Sequence, residues 1–92
     1  MIKNFSHKRL EQFYLKGTIA KILPAHERRL RMILGRLESI HKPEDMKLPG
    51  FDFHPLAGKM KECYSVRVNK NWRVTFKFDG IDAYAVDYLD YH

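Results

Sequence analysis

From Tyr64 to Tyr88 apolar residues return at every second position: Tyr64, Val66 and Val68, then Val74, Phe76 and Phe78, then Tyr84, Val86 and Tyr88. A period of two is what a strand with one buried face produces, because successive side chains leave opposite sides of the sheet. The runs are interrupted at Asn69-Lys70-Asn71 and at Asp79-Gly80, residue types that accept the positive φ of tight turns. Connections this short join antiparallel neighbours, so the second half of the chain is predicted to be an antiparallel meander of three strands. A sheet with one apolar face needs a cover, and the first half of the chain supplies it.

In that first half the period changes. Leu30, Ile33, Leu34, Leu37 and Ile40 recur at helical spacing behind Pro24, a residue suited to the first turn of a helix. An earlier helix is expected from Ser6, as N-cap, to Gly17, as C-terminal stop, with Leu10, Phe13 and Tyr14 on its buried side. Met1 to Phe5 reads as a short first strand, and Pro43, Pro49 and Gly50 make residues 41–50 a loop. The predicted class is α+β: two N-terminal helices packed on one face of a small, mainly antiparallel sheet, with residues 1–92 forming a single domain. Gly35 inside the second helix costs about 1 kcal/mol relative to Ala and marks either a close backbone approach or slack. Arg28, Arg29, Arg31 and Arg36 occupy the other sides of that helix and are expected to be solvated, with an acidic partner as an option.

Seventeen Lys and Arg against eleven Asp and Glu give a net charge of +6 and a pI near 9.6, the profile of a small domain that meets a polyanion. Nucleic acid is the leading candidate and an acidic protein the second. Cys63 is the single cysteine, which excludes an internal disulfide and suits a reducing compartment. No stretch approaches the roughly 20 apolar residues of a membrane span, so no membrane partner is expected and the cytoplasm is the expected location.

Alternation also sorts the opposite face of the strands. It carries Ser65 and Arg67, then Arg73, Thr75 and Lys77, so cations from neighbouring strands project from the face that the helices leave open. Asp87 of the last strand could pair with one of them. Guanidinium groups on a rigid sheet match the oxygens of a phosphodiester.

Histidines stand at 7, 26, 41, 54 and 92, but none has a metal-ligand spacing such as H-x-x-x-H, and no metal or cofactor is expected. A phosphate loop is absent, since Phe53 stands where the first glycine of that motif belongs and Met60 replaces its hydroxyl residue. Signatures of a Ser or Cys nucleophile are missing too. What remains is metal-free acid and base chemistry. RNA carries its own nucleophile, the 2′-hydroxyl; cleaving it needs a base for that proton, cations for the phosphorane charge and an acid for the departing 5′-oxygen. His54, in "FHPLAG", and the terminal His92 suit both proton roles, because an unperturbed imidazole titrates at about 6.5.

"His54-Pro-Leu-Ala-Gly58", "Ser65-Val-Arg-Val-Asn69", "Asn71-Trp-Arg-Val-Thr-Phe76", "Asp82-Ala83" and "Asp90-Tyr-His92" together resemble the HigB toxins, a branch of the RelE/ParE superfamily of toxin–antitoxin systems. The resemblance spans nearly the whole chain, with its specific motifs in the second half. It implies a compact microbial-ribonuclease fold, cleavage of mRNA in the ribosomal A site, and inhibition by a HigA-type helix-turn-helix antitoxin. By position it implies proton-transfer roles for His54 and His92, supporting roles for Asp90 and Tyr91, and phosphate stabilisation by Arg73 with help from Arg67 and Lys77. One departure is Ala57, where close relatives often carry Lys; Lys59 is the nearby cation that could take over its RNA contact. Superfamily membership also admits a ParE-like topoisomerase poison or a non-catalytic RNA-binding domain.

Overall fold

The computed structural model describes residues 1–58 and 62–90. Two helices, α1 (Lys8–Lys16) and α2 (Glu27–Ser39), precede a sheet of four strands, β1 (His54–Pro55), β2 (Cys63–Asn69), β3 (Trp72–Asp79) and β4 (Asp82–Asp90). The sheet is antiparallel with strand order β1-β2-β3-β4, so the predicted meander gains a short fourth strand at the edge where His54 lies. This is the expected α+β fold.

Helix α1 begins one residue later than the Ser6 cap predicts. The Nδ1 atom of His7 accepts from the Leu10 backbone N–H at 3.1 Å, so the imidazole does the capping that a hydroxyl was expected to do. Gly17 ends the helix at φ 73, a left-handed conformation that costs glycine little. Pro24 opens a short 3₁₀ turn, Pro24–His26, that leads directly into α2. Leu30, Ile33, Leu34, Leu37 and Ile40 are all buried. A Cβ on Gly35 would meet nothing within 4 Å, so this glycine is slack and not a close approach.

The core lies between the helices and one sheet face, where Val66, Val68, Val74, Phe76, Val86 and Tyr88 meet Leu10, Phe13 and the α2 residues. Residues 2–5 run parallel to β4 as two isolated bridges, Ile2 to Ala83 and Phe5 to Val86. The Lys3 and Ser6 N–H groups donate to the Ala83 and Val86 carbonyls, each at 2.8 Å, which covers a sheet edge that would otherwise offer unpaired backbone groups.

The sequence pattern misplaces one side chain. β4 carries a bulge, with Ala85 at φ 51 between the pairs Thr75–Asp87 and Lys77–Tyr84. An extra residue in one strand exchanges the two faces on either side of it. Tyr84 therefore shares the Lys77 face, and Ala83 takes the core position that alternation assigns to Tyr84.

At one end of the core His26, 3% exposed, has Nδ1 2.6 Å from the Tyr88 hydroxyl. Trp72 packs against Tyr88 in a tilted arrangement, 4.6 Å between centroids. A buried pair this close is neutral, with one proton shared between Nδ1 and the phenol oxygen. Burial holds His26 below its ordinary value of 6.5. The unfolded chain then takes up this proton first, so the stability conferred by neutral His26 is present above about pH 6.5 and is lost as pH falls through the lower folded value. We expect the urea midpoint to drop between pH 7.5 and pH 5 by more in the wild type than in His26→Gln, whose amide does not titrate. Equal drops would show that the buried imidazole is not a source of the acid sensitivity.

Candidate active site

Register assembles the open face. His54 stands opposite Ser65, Ser65 opposite Thr75 and Thr75 opposite Asp87, one row across all four strands. In the next row Arg67 stands opposite Arg73. Directly opposed like charges on a sheet are unfavourable unless an anion compensates them, and here one does. Arg73 donates from Nε to Ser65 Oγ at 2.9 Å, from Nη1 to Asp52 Oδ2 at 3.2 Å and from Nη2 to the Asp52 carbonyl at 2.5 Å.

Asp52 is the residue that sequence reasoning missed. Its carbonyl also lies 3.0 Å from His54 Nδ1, and its Oδ1 is 3.5 Å from the same nitrogen. Asp52 thereby joins the imidazole and the guanidinium, and it, rather than Asp87, is the carboxylate that pairs with the sheet cation Arg73. The Asp87 carboxylate accepts from the Tyr88 backbone N–H at 2.8 Å. A signal for Asp52 was present in "FDFH", where two aromatic residues alternate with two polar ones. Phe51 is buried and Phe53 stacks on Tyr64 at 5.7 Å, with Tyr64 on Phe76 at 5.6 Å. Both rings turn into the body of the protein while Asp52 and His54 stay at the surface.

A carbonyl oxygen only accepts, so the Asp52 carbonyl fixes the His54 proton on Nδ1 and leaves Nε2 as the atom that can exchange a proton with a bound molecule. With 59% of its side chain exposed, His54 is reachable. Arg73 is 14% exposed against 46% for Asp52, so the guanidinium is held in place while its partner meets solvent. Ser65 and Thr75 are 1% and 3% exposed, which corrects the expectation that they project into the open; Ser65 lies under the Arg73 fork, and its hydroxyl supports it.

The loop bearing Asp52 is fastened from behind. Arg29 of α2 donates from Nη2 to the Gly50 carbonyl and, at 3.1 Å, to the Arg67 carbonyl, with its guanidinium 4.9 Å from the centre of the Phe51 ring. The Arg67 N–H donates to the Phe51 carbonyl at 2.7 Å. Arg29 is thus a tie between helix and site loop, not a solvated charge. Arg31 pairs with Glu27 at 2.9 Å.

The remaining sequence candidates distribute as follows. Arg67 is exposed beside Arg73, and Lys77 lies four residues further along β3, roughly 13 Å from Arg73 at strand rise. Ala57 is exposed. Asp90 closes β4 opposite Trp72, while Arg73 faces Leu89. Register therefore sets Asp90 on the Trp72 side of the sheet, close enough for its charge to add to the burial that pushes the Tyr88 phenol up. Lys59, Tyr91 and His92 lie outside the described residues. Among the described residues no group of three or more His, Cys, Asp or Glu side chains is placed to hold a metal ion, and no helix is long and apolar enough to cross a membrane.

Two clefts, of about 210 and 350 Å³, belong to the helical side, lined by Phe13, Tyr14 and Leu34 and by Pro24, Glu27 and Arg28 respectively. Neither cleft is lined by His54, Asp52 or Arg73.

Residues 3–92 match the family described as "RelE-like toxin of type II toxin-antitoxin system HigB". The chain is 33% identical over 92 residues to a protein of Proteus vulgaris named "Endoribonuclease HigB", covering all of both chains. It is 35% identical over 95 residues to "Toxin HigB-1" of Vibrio cholerae serotype O1, covering all of this chain and 98% of that one.

Proposed function

The chain belongs to the HigB-like toxins of type II toxin–antitoxin systems, and from that premise we propose that it is an endoribonuclease that cuts mRNA in the ribosomal A site. The observation that carries the proposal is the Asp52 bridge, which sets a proton-exchanging imidazole beside a phosphate-binding guanidinium on an open basic face. His54 and His92 divide the proton transfers. One removes the 2′-hydroxyl proton; the 2′-oxygen then bonds to phosphorus, the bond to the 5′-oxygen breaks, and the other protonates that oxygen. The products are a 2′,3′-cyclic phosphate and a 5′-hydroxyl. No metal takes part.

Arg73 binds the phosphate that gains charge in the transition state, a task for which a preset fork needs no reorganisation. Arg67, Lys77 and Lys59 hold flanking phosphates, Asp90 orients an imidazole, and Tyr91 stacks on or positions the RNA. A HigA-type helix-turn-helix antitoxin restrains the toxin in the cytoplasm, where ribosomes are.

Primer extension on an mRNA in a translating extract tests this. Cuts should appear within codons when the protein is added, vanish when initiation is blocked, and leave 3′ ends that accept an adaptor only after the cyclic phosphate is opened and removed to free the 3′-hydroxyl. Cutting that ignores translation would remove the ribosome from the proposal. DNA-damage induction without RNA cuts would replace it with topoisomerase poisoning.

A further inference from the structure

We infer that Asp52 is a positioning residue that locks Arg73 in the free protein and hands it to the RNA phosphate, so that the lock both aligns the site and competes with substrate. The inference rests on the ribonuclease function proposed above. A guanidinium has five N–H groups, and three of those on Arg73 are engaged, one by Ser65 Oγ and two by Asp52. The two Nη atoms that would grip a phosphate are the ones Asp52 occupies. A phosphodiester and the Asp52 carboxylate carry the same sign and both seek the Nη1 donor, so a phosphate that takes that donor displaces the carboxylate.

The lock is built into the loop. Asp52 has φ 48, a left-handed conformation that Asp adopts more readily than most residues, and this directs its carbonyl and carboxylate to the same guanidinium. On one side Arg29 and the Arg67 N–H hold Gly50 and Phe51; on the other Phe53 is stacked on Tyr64. The carboxylate itself is half exposed, so an incoming anion can reach and displace it. In the free protein its Oδ1 lies 3.5 Å from His54 Nδ1, so the same carboxylate borders both side chains.

Two substitutions separate charge from backbone. Asp52→Asn keeps the size and an accepting oxygen; Asp52→Gly removes the side chain at a φ that glycine adopts without strain and keeps the carbonyl that both partners use. Binding of the isolated protein to a fully 2′-O-methylated RNA, which cannot be cut, would be measured by fluorescence anisotropy at low salt. Removing one like charge about 5 Å from a phosphate in water-like surroundings is expected to tighten binding about fourfold, and both variants should show it. On translating ribosomes the same variants should lower KM while kcat falls about tenfold, within the roughly hundredfold range that loss of alignment can cost. Asp52→Glu, which keeps the charge but shifts its position, should bind RNA as the wild type does and lose kcat alone.

A merely structural role would not move KM and affinity in the favourable direction. Unchanged or weaker RNA binding by both Asn and Gly variants overturns the lock, even if the wild type cuts RNA. A wild type that binds but never cuts overturns the ribonuclease proposal, and tighter binding by the variants then still supports the lock.

Discussion

Replacing His54 by Ala is expected to lower mRNA cleavage on translating ribosomes by about a hundredfold to ten-thousandfold, the range that removal of a positioned general acid or base commands. The loss should appear in kcat, since the imidazole is needed when the proton moves and contributes little to holding RNA phosphates. His54 has 59% of its side chain exposed and sits in a two-residue strand at the sheet edge. The substitution buries nothing and opens no cavity, so the unfolding free energy should stay within about 0.5 kcal/mol of the wild type, as for surface changes in general. The Asp52 carbonyl retains its bond to Arg73 when the ring is gone, which keeps the phosphate site assembled and confines the effect to proton transfer. His92→Ala tests the partner role and should match it in size. If His54→Ala cuts at the wild-type rate, the imidazole is no part of the chemistry and the proton acceptor must be sought elsewhere on the face.

The second large effect is on stability. Phe76→Ala should cost about 3 to 5 kcal/mol, the range for emptying a buried aromatic site, against a total of about 5 to 15 kcal/mol for a domain of this kind. Phe76 is fully buried in the centre of β3 and is the inner end of the aromatic series Phe53–Tyr64–Phe76. Its removal therefore leaves a void under Tyr64 and loosens Phe53, the residue between Asp52 and His54. The melting temperature should fall by more than about 10 °C, since each kcal/mol shifts it by about 4 to 8 °C at this size. Phe76→Leu keeps most of the volume and should cost much less. A Phe76→Ala protein that melts with the wild type would mean that the two faces of the sheet are not held by the packing described here.

These two residues mark what was legible in the chain. Phe76 belongs to a period of two, and the periods of the strands and of α2 are properties of single segments, so local pattern suffices to place Val66, Val74 and Val86 on one face and Arg67 and Arg73 on the other. Pattern fails where a backbone irregularity resets it: the bulge at Ala85 carries no distinctive residue type, and Tyr84 consequently lands on the Lys77 side. Capping by His7 was likewise unforeseen because an imidazole is not among the usual capping groups.

The candidate site divides in the same way. That His54 and Arg73 are suited to proton transfer and phosphate binding follows from side-chain chemistry, and their motifs are continuous in sequence. That they share one partner does not, because Asp52 meets Arg73 across 21 positions of the chain, through a left-handed residue held by an arginine from α2. Burial of Ser65, beneath that fork, and of Thr75 beside it on β3 is a tertiary fact as well, since small hydroxyl residues fit open and covered sheet faces equally. Sequence alone determined which residues share a face, because strand geometry makes that a local matter. The tertiary structure decided which of them touch, because a contact between distant segments depends on how the helix, loop and sheet pack together.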